Sequence, residues 1–291
     1  MKQSKCFSLL FESHKKANQY RYWFFSVRLG HDTIVPKVEP EYVDLGLSVK
    51  WATFNVGASA PEDYGDYFAW GEVEPKEKYG WETYKWCDGT ALNITKYNKT
   101  DGLTTLELDD DAAHVNWGGK WRMPSKVEMQ ELFEKCTWVA DTVNGISGQR
   151  ATGPNGNSIF IPTAGYYNHD HGEGIQGLKS IMYLWISSCN GNSNAYDLMF
   201  YHFTLPDGVS SNTRRVGFPI RPVFDESVVT LTINCTPEDA GVGFYYSGGF
   251  HAHGNSVLVK KGASLLYQVE ATKEGYLSQG DSYITSLKIL R

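Results

Sequence analysis

The sequence predicts a mixed α+β protein in two parts: a loop-rich domain of short antiparallel strands with one or two helices, then a small all-β sandwich. Three observations carry that expectation. One amphipathic helix with a complete start signal stands near the middle of the chain. Short β-favouring runs separated by Asn-Gly turns follow it. From Val228 the texture turns to Val, Thr, Gly and Tyr, and the last hundred residues contain none of the nine tryptophans, which lie between Trp23 and Trp185.

The helix is announced by Asn116-Trp-Gly-Gly-Lys-Trp-Arg-Met-Pro-Ser125. Gly118-Gly119 reads as a tight turn between Trp117 and Trp121, because glycine tolerates backbone conformations that a side chain forbids. Ser125 with Glu128 three positions on is a capping box, in which hydroxyl and carboxylate each satisfy a backbone N–H of the first turn. Val127, Met129, Leu132, Phe133 and Cys136 give a mostly helical spacing and predict a buried face about three turns long. Arg122, set between two inward-pointing residues, is expected to tie loops together or stack on a ring.

Residues 1–38 read as a poorly committed segment ending in the linker Pro36-Lys-Val-Glu-Pro40. The first domain is placed at 39–226. Val43 to Trp51 predicts one strand, or two broken at Gly46. The stretch 55–72 reads as ordered loop with a short strand at Tyr67–Trp70. Its aromatic residues, with Trp81, Tyr84 and Trp86, are expected to fill a core poor in long helices rather than to stack on carbohydrate. The run Glu107-Leu-Asp-Asp-Asp-Ala-Ala-His114 is favoured as a solvated helix start over a structural calcium loop, whose alternating ligand spacing it lacks. Strands follow at 138–143, 148–153 and 158–162 with turns at Asn144-Gly145 and Asn155-Gly156. Further strands are expected at Met182–Ser188, Ala195–Phe203 and Val216–Val223. Residues 227–291, with strands at 229–234, 242–246, 256–259 and 265–271, form the sandwich.

Composition excludes several functions. A net charge of −6 with no basic cluster argues against a nucleic-acid partner. No apolar run reaches the roughly eighteen residues of a membrane span, and no signal peptide is read in the N-terminal segment. The five cysteines, Cys6, Cys87, Cys136, Cys189 and Cys235, show no C-x-x-C spacing and fit isolated, mostly buried thiols. His169-Asp-His171 and His251-Ala-His253 could chelate a metal from one strand face, but glycine-rich surroundings favour solvated turns. Ser187-Ser188 lacks the glycine frame of a nucleophile elbow.

Six motifs in order, Tyr42-Val-Asp-Leu-Gly-Leu-Ser-Val-Lys-Trp-Ala-Thr53, Tyr67-Phe-Ala-Trp-Gly-Glu72, Asn116 to Ser125, Gly156-Asn-Ser-Ile-Phe-Ile-Pro162, Trp185-Ile-Ser-Ser188 and Gly217-Phe-Pro-Ile-Arg-Pro-Val223, resemble the Fibrobacter succinogenes major paralogous domain, abundant in gut Bacteroidota. That family is similar to the C-type lectin fold in its formylglycine-generating-enzyme-like branch. The resemblance implies first and last strands that pair, a loop-rich binding face, and a place outside the cytoplasm or on the cell surface. Residues 228–287, with Thr236-Pro-Glu-Asp-Ala, Val259-Lys-Lys-Gly and Lys273-Glu-Gly-Tyr276, resemble PEGA-type β-sandwich repeats.

In the second half of the domain, where the related fold presents its ligand face, stand Tyr166, Tyr167, Asn168, His169, Asn190, Asn192, Asn194, Tyr196, Asp197, Tyr201, His202, Arg214 and Arg215. Tyr and Asn combine rigid aromatic area with versatile hydrogen bonding, as adaptable binding surfaces do. The leading expectation is a non-catalytic surface protein that binds a glycan or a protein there, without a cofactor. Trp117, Trp121, Arg122, Ser125 and Glu128 are expected to be scaffold. Two alternatives remain: an oxidase related to formylglycine-generating enzymes, with Cys189 as its thiol, and a structural pilus or matrix component. The oligomeric state stays open.

Overall fold

The computed structural model describes residues 40–172, 174–201 and 208–234, with the strands Phe7–Leu9, Phe25–Leu29, Val242–Tyr246, Gly249–His253, Ser256–Lys260 and Leu266–Val269. The chain divides into two compact units, Pro36–Glu226 and a second made of Met1–Val35 with Ser227–Arg291. Among the described residues both are built of small antiparallel sheets, and the larger unit adds two α-helices. The result is a mixed α+β protein weighted towards β. No helix of the described residues is long and apolar enough to cross a membrane.

In the larger unit, four two- or three-residue strands make one sheet: β1 (Tyr42–Val43), β2 (Lys50–Ala52), β3 (Trp121–Arg122) and β12 (Val223–Phe224), in the order β1-β2-β12-β3. The ends of the unit meet here, since Val223 pairs with both Trp51 and Arg122. A meander of β4 (Thr137–Val143), β5 (Ile146–Thr152) and β6 (Ser158–Pro162) follows α2. Its first turn has φ of 49° at Asn144 and 82° at Gly145, and two successive positive values are what a type I′ hairpin requires. Strands β7 (Tyr166–Tyr167) and β8 (Ile175–Gln176) pair around a short loop. The last sheet comprises β9 (Ile181–Asn190), β10 (Asn194–Tyr201) and β11 (Gly208–Thr213).

Helix α2 (Lys126–Lys135) starts with the expected capping box: Ser125 accepts from the Glu128 N–H, and Glu128 accepts from the Ser125 N–H at 2.8 Å. Met129 and Leu132 are fully buried against Leu184, Ile186, Leu198 and Phe200 of the β9–β10 hairpin. Val127 departs from the predicted face and is 78% exposed. It sits in the first turn, where the buried stripe has yet to begin. The preceding turn is made by Gly118 and Gly119, both at positive φ, and closed by the Trp121 N–H on the Gly118 carbonyl.

The acidic run corrects the picture of a solvated helix start. Residues Leu108–Asp110 form a single 3₁₀ turn and Ala112–Trp117 the short helix α1, but Glu107, Asp110 and Asp111 are all buried. Asp110 accepts from Tyr97 Oη and Lys96 Nζ, each at 2.6 Å, and Lys96 also contacts Glu107. Asp111 caps α1 through the His114 N–H and receives the Met123 N–H at 2.8 Å. These carboxylates are held by neighbours because burying one without partners would be costly.

Tyr67–Trp70 and Val216–Pro222 form no continuous strand; single bridges join Phe68 to Phe218 and Tyr167 to Gly217. Pro219 and Pro222 have no N–H to offer a ladder, so continuous pairing fails there. Aromatic tips donate to carbonyls along and beside this irregular course. Trp185 Nε1 donates to Phe68 O (2.8 Å), Trp70 Nε1 to Ile186 O (2.8 Å) and Tyr84 Oη to Trp70 O (2.8 Å). The aromatic excess is thus packed core and hydrogen-bonding frame at once.

In the second unit, Phe7–Leu9, Phe25–Leu29, Val228–Asn234 and Ser256–Lys260 form a four-stranded sheet, and Gly249–His253, Val242–Tyr246 and Leu266–Val269 a three-stranded one. The N-terminal segment, read from sequence as uncommitted, therefore supplies two strands here. His251 and His253 fall on a strand rather than in a loop. The expected positions 265, 270 and 271 lie outside the described residues.

Candidate functional site

The adjacent arginines Arg214 and Arg215 divide the expected binding face, because their side chains serve different parts of the unit. Arg214 has no exposed surface. Its Nη2 donates to the carbonyls of Gly191 (2.7 Å) and Tyr97 (2.9 Å), its Nε to that of Asn194 (3.1 Å), and its guanidinium carbon lies 4.7 Å from the centroid of the Trp70 ring. It is a clamp beneath the β9–β10 turn, not a surface contact. Asp197 is also wholly buried, on β10 opposite Trp185 and Ser210. Ser210 Oγ and Asn212 Nδ2 donate to its two oxygens. Burial outweighs those two bonds and pushes its carboxyl up to about 6.

The remaining predicted residues are dispersed. Asn190 and Asn192 are exposed at the β9–β10 turn, with Asn190 Nδ2 donating to Ser211 Oγ, and Asn194 opens β10. Tyr196 is half-buried under Lys126, whose Nζ is 3.8 Å from the ring centroid. Tyr201 is 48% exposed at the other end of β10. Five positions from Tyr196, it faces the opposite side of the strand. His202 lies outside the described residues. Tyr166 packs edge-on against Tyr183 and Phe218, and Tyr167 stacks on Tyr79, so both support the fold.

One group converges. Asn168, buried, caps the 3₁₀ turn His169–His171 by accepting the Asp170 N–H. Arg215, 8% exposed, reaches the same turn: Nη1 donates to Asn168 Oδ1 (2.9 Å) and to the Tyr79 carbonyl (3.4 Å), and Nη2 to the Asp170 carboxylate. Trp81, half-buried, has its ring centroid 5.7 Å from the guanidinium carbon. The turn is anchored from below, since Gln176 Oε1 accepts the Asn168 N–H (3.0 Å) and its Nε2 donates to Gly174 O (2.7 Å). His169 and Asp170 are exposed at the top. Chemically this is a buried cation with a flat aromatic neighbour, reached through one exposed carboxylate.

The sequence does not single out Asp170 and Trp81 as binding residues, though it carries a signal at each. Asp170 stands between the two histidines that drew attention as a chelate, and Trp81 belonged to the aromatic group assigned to the core. What could not be read is that Arg215 meets Tyr79 across 136 residues of chain.

The three described thiols, Cys87, Cys136 and Cys189, are shifted away from nucleophilic chemistry. Burial raises the Cys189 pKa despite the nearby Arg214 charge, and its sulfur lies 3.8 Å from the Leu103 carbonyl. Burial likewise pushes Cys136 up to about 11 and raises Cys87. A reactive thiol needs the opposite shift. Among the described residues no group of three His, Cys, Asp or Glu side chains is placed to hold a metal ion. No protein-family model, curated protein or solved structure matches this chain.

Proposed function

We propose that the protein is a non-catalytic binding module, acting outside the cytoplasm or at the cell surface, that recognises a glycan or a protein through its loop face. Within that face we place recognition at the Asn168–Asp170 turn, Arg215 and Trp81. The observation that carries the reading is the Arg215 guanidinium, nine-tenths buried, directed at an exposed turn beside a partly open tryptophan ring. Ligand sites combine a few fixed polar groups with aromatic area, and a guanidinium with an indole supplies both. The location at a surface rests on the family resemblance. The raised pKa of Cys189 and of the other two described thiols supports a binding rather than an oxidative role.

The test is an array of glycans and surface proteins probed with the full chain and with the double variant His169→Ala/Trp81→Ala. A ligand captured by the wild type and lost or strongly weakened in the variant is the expected result. Retention of every captured ligand by the variant would reject this face.

A further inference from the structure

The hydrogen-bond inventory of Arg215 is incomplete in one particular place. Its guanidinium carries five N–H donors. Nη1 meets Asn168 and Tyr79, Nη2 meets Asp170 through Oδ2, and Nε is buried without a partner. Nε and Nη2 form one edge of the planar group, the edge that takes both oxygens of a carboxylate in a fork. Asp170 therefore satisfies half of that edge. A buried donor left unmet is costly, so a carboxylate able to use both positions would be preferred there.

Three further features fit an exchange of carboxylates. The Asp170 side chain is 62% exposed, so it can swing into water. The turn that carries it is held by Asn168 and Gln176, not by the Asp170 carboxylate, so it would stand after release. The exchange replaces one anion by another, so the buried guanidinium never loses its counter-charge. Trp81 adds a flat apolar surface beside the incoming group, which suits the C–H face of a pyranose ring better than a flexible acidic side chain.

We propose that the Asp170–Arg215 pair is the closed form of a carboxylate subsite, and that its ligand is an acidic sugar whose carboxylate displaces Asp170. This rests on the binding-module reading above and narrows its ligand class.

The experiment is a titration of the full chain with sodium glucuronate, with glucose as the neutral sugar and N-acetylaspartate as the carboxylate without a sugar ring. Binding is followed by calorimetry for wild type, Asp170→Asn, Arg215→Lys and Trp81→Ala, with folding checked by circular dichroism. Glucuronate should bind more tightly than either control. Asp170→Asn, which removes the competing carboxylate, should tighten it by about fivefold, and Trp81→Ala should weaken glucuronate more than N-acetylaspartate. Because Arg215→Lys could fail to fold, Asp170→Asn is the deciding variant: unchanged or weaker glucuronate binding by a folded Asp170→Asn protein overturns the exchange. Equal binding of glucose overturns the anion, and equal binding of N-acetylaspartate overturns the sugar. A chain that captures a neutral glycan on the array and ignores glucuronate overturns this inference while the binding-module reading survives.

Discussion

Arg122 Nη2 lies 2.8 Å from Asp225 Oδ2, a contact across 103 residues, while the same guanidinium holds Glu128 in the capping box. One residue thus joins β3, the start of α2 and the end of the unit. All three side chains are largely buried, and removing the guanidinium takes the counter-charge from two buried carboxylates. Arg122→Ala should destabilise the larger unit by about 3 kcal/mol, measured as a lowered midpoint in urea. A loss within error of zero would show the triad to be incidental.

Acid should undo the same triad. Burial alone would raise the Glu128 pKa, but the Arg122 hydrogen bonds and charge, with the Ser125 N–H, outweigh it and leave the carboxyl below its usual value. A pKa lower in the folded state contributes stability that is complete above the unfolded value of about 4.3. It is lost as pH falls through the lower folded value. Glu128→Gln should flatten that acid limb of the stability curve.

Asp197 should act in the opposite sense. Its carboxyl, pushed up to about 6 by burial, stays protonated in the folded protein after the unfolded chain has ionised. The stability it permits is therefore fully present below about pH 3.9 and declines as pH rises towards 6, by roughly 3 kcal/mol. Asp197→Asn keeps an oxygen for the Asn212 amide and cannot ionise. It should remove this decline and raise stability at neutral pH, read by thermal melts from pH 4 to 8.

Gly165 positions the candidate site. Its φ is +66°, and an added Cβ would fall 2.2 Å from the Gln176 carbonyl oxygen. Gln176 anchors the Asn168 turn, so Gly165→Ala should cost about 2 kcal/mol in backbone strain and weaken ligand capture as well. An alanine variant of unchanged stability would contradict the close approach.

Arg214 offers a test of the division between the two arginines. Arg214→Met should lower stability strongly, since four backbone carbonyls lose their donor. Under conditions where the variant stays folded, its ligand affinity should match the wild type.

What the sequence made legible was local. Ser125 and Glu128 are three residues apart, Asn144-Gly145 is its own turn, and the β-favouring runs at 182–188 and 195–201 need no distant partner to be read as strands. What stayed hidden was long-range. Arg214 and Asp197 are residue types that usually face water, and only the convergence of distant carbonyls and of β10 with β11 makes their burial tolerable. The Glu107–Asp111 run misled for the same reason, since Lys96 and Tyr97 lie outside it. Strand β11, Gly-Val-Ser-Ser-Asn-Thr, was missed because its polar composition has weak β preference; pairing with β10 decides it. Of the site, Arg215, Asn168 and His169 stand out in the sequence, whereas only the folded chain brings Asp170 and Trp81 to the Arg215 guanidinium.

The most direct measurement is hydrogen–deuterium exchange of the full chain with and without a ligand selected on the array. Recognition at the Arg215 site predicts slowed exchange in the 168–176 loop and around 79–84. Protection confined to the 190–194 turn, or none in either of the first two segments, would contradict it.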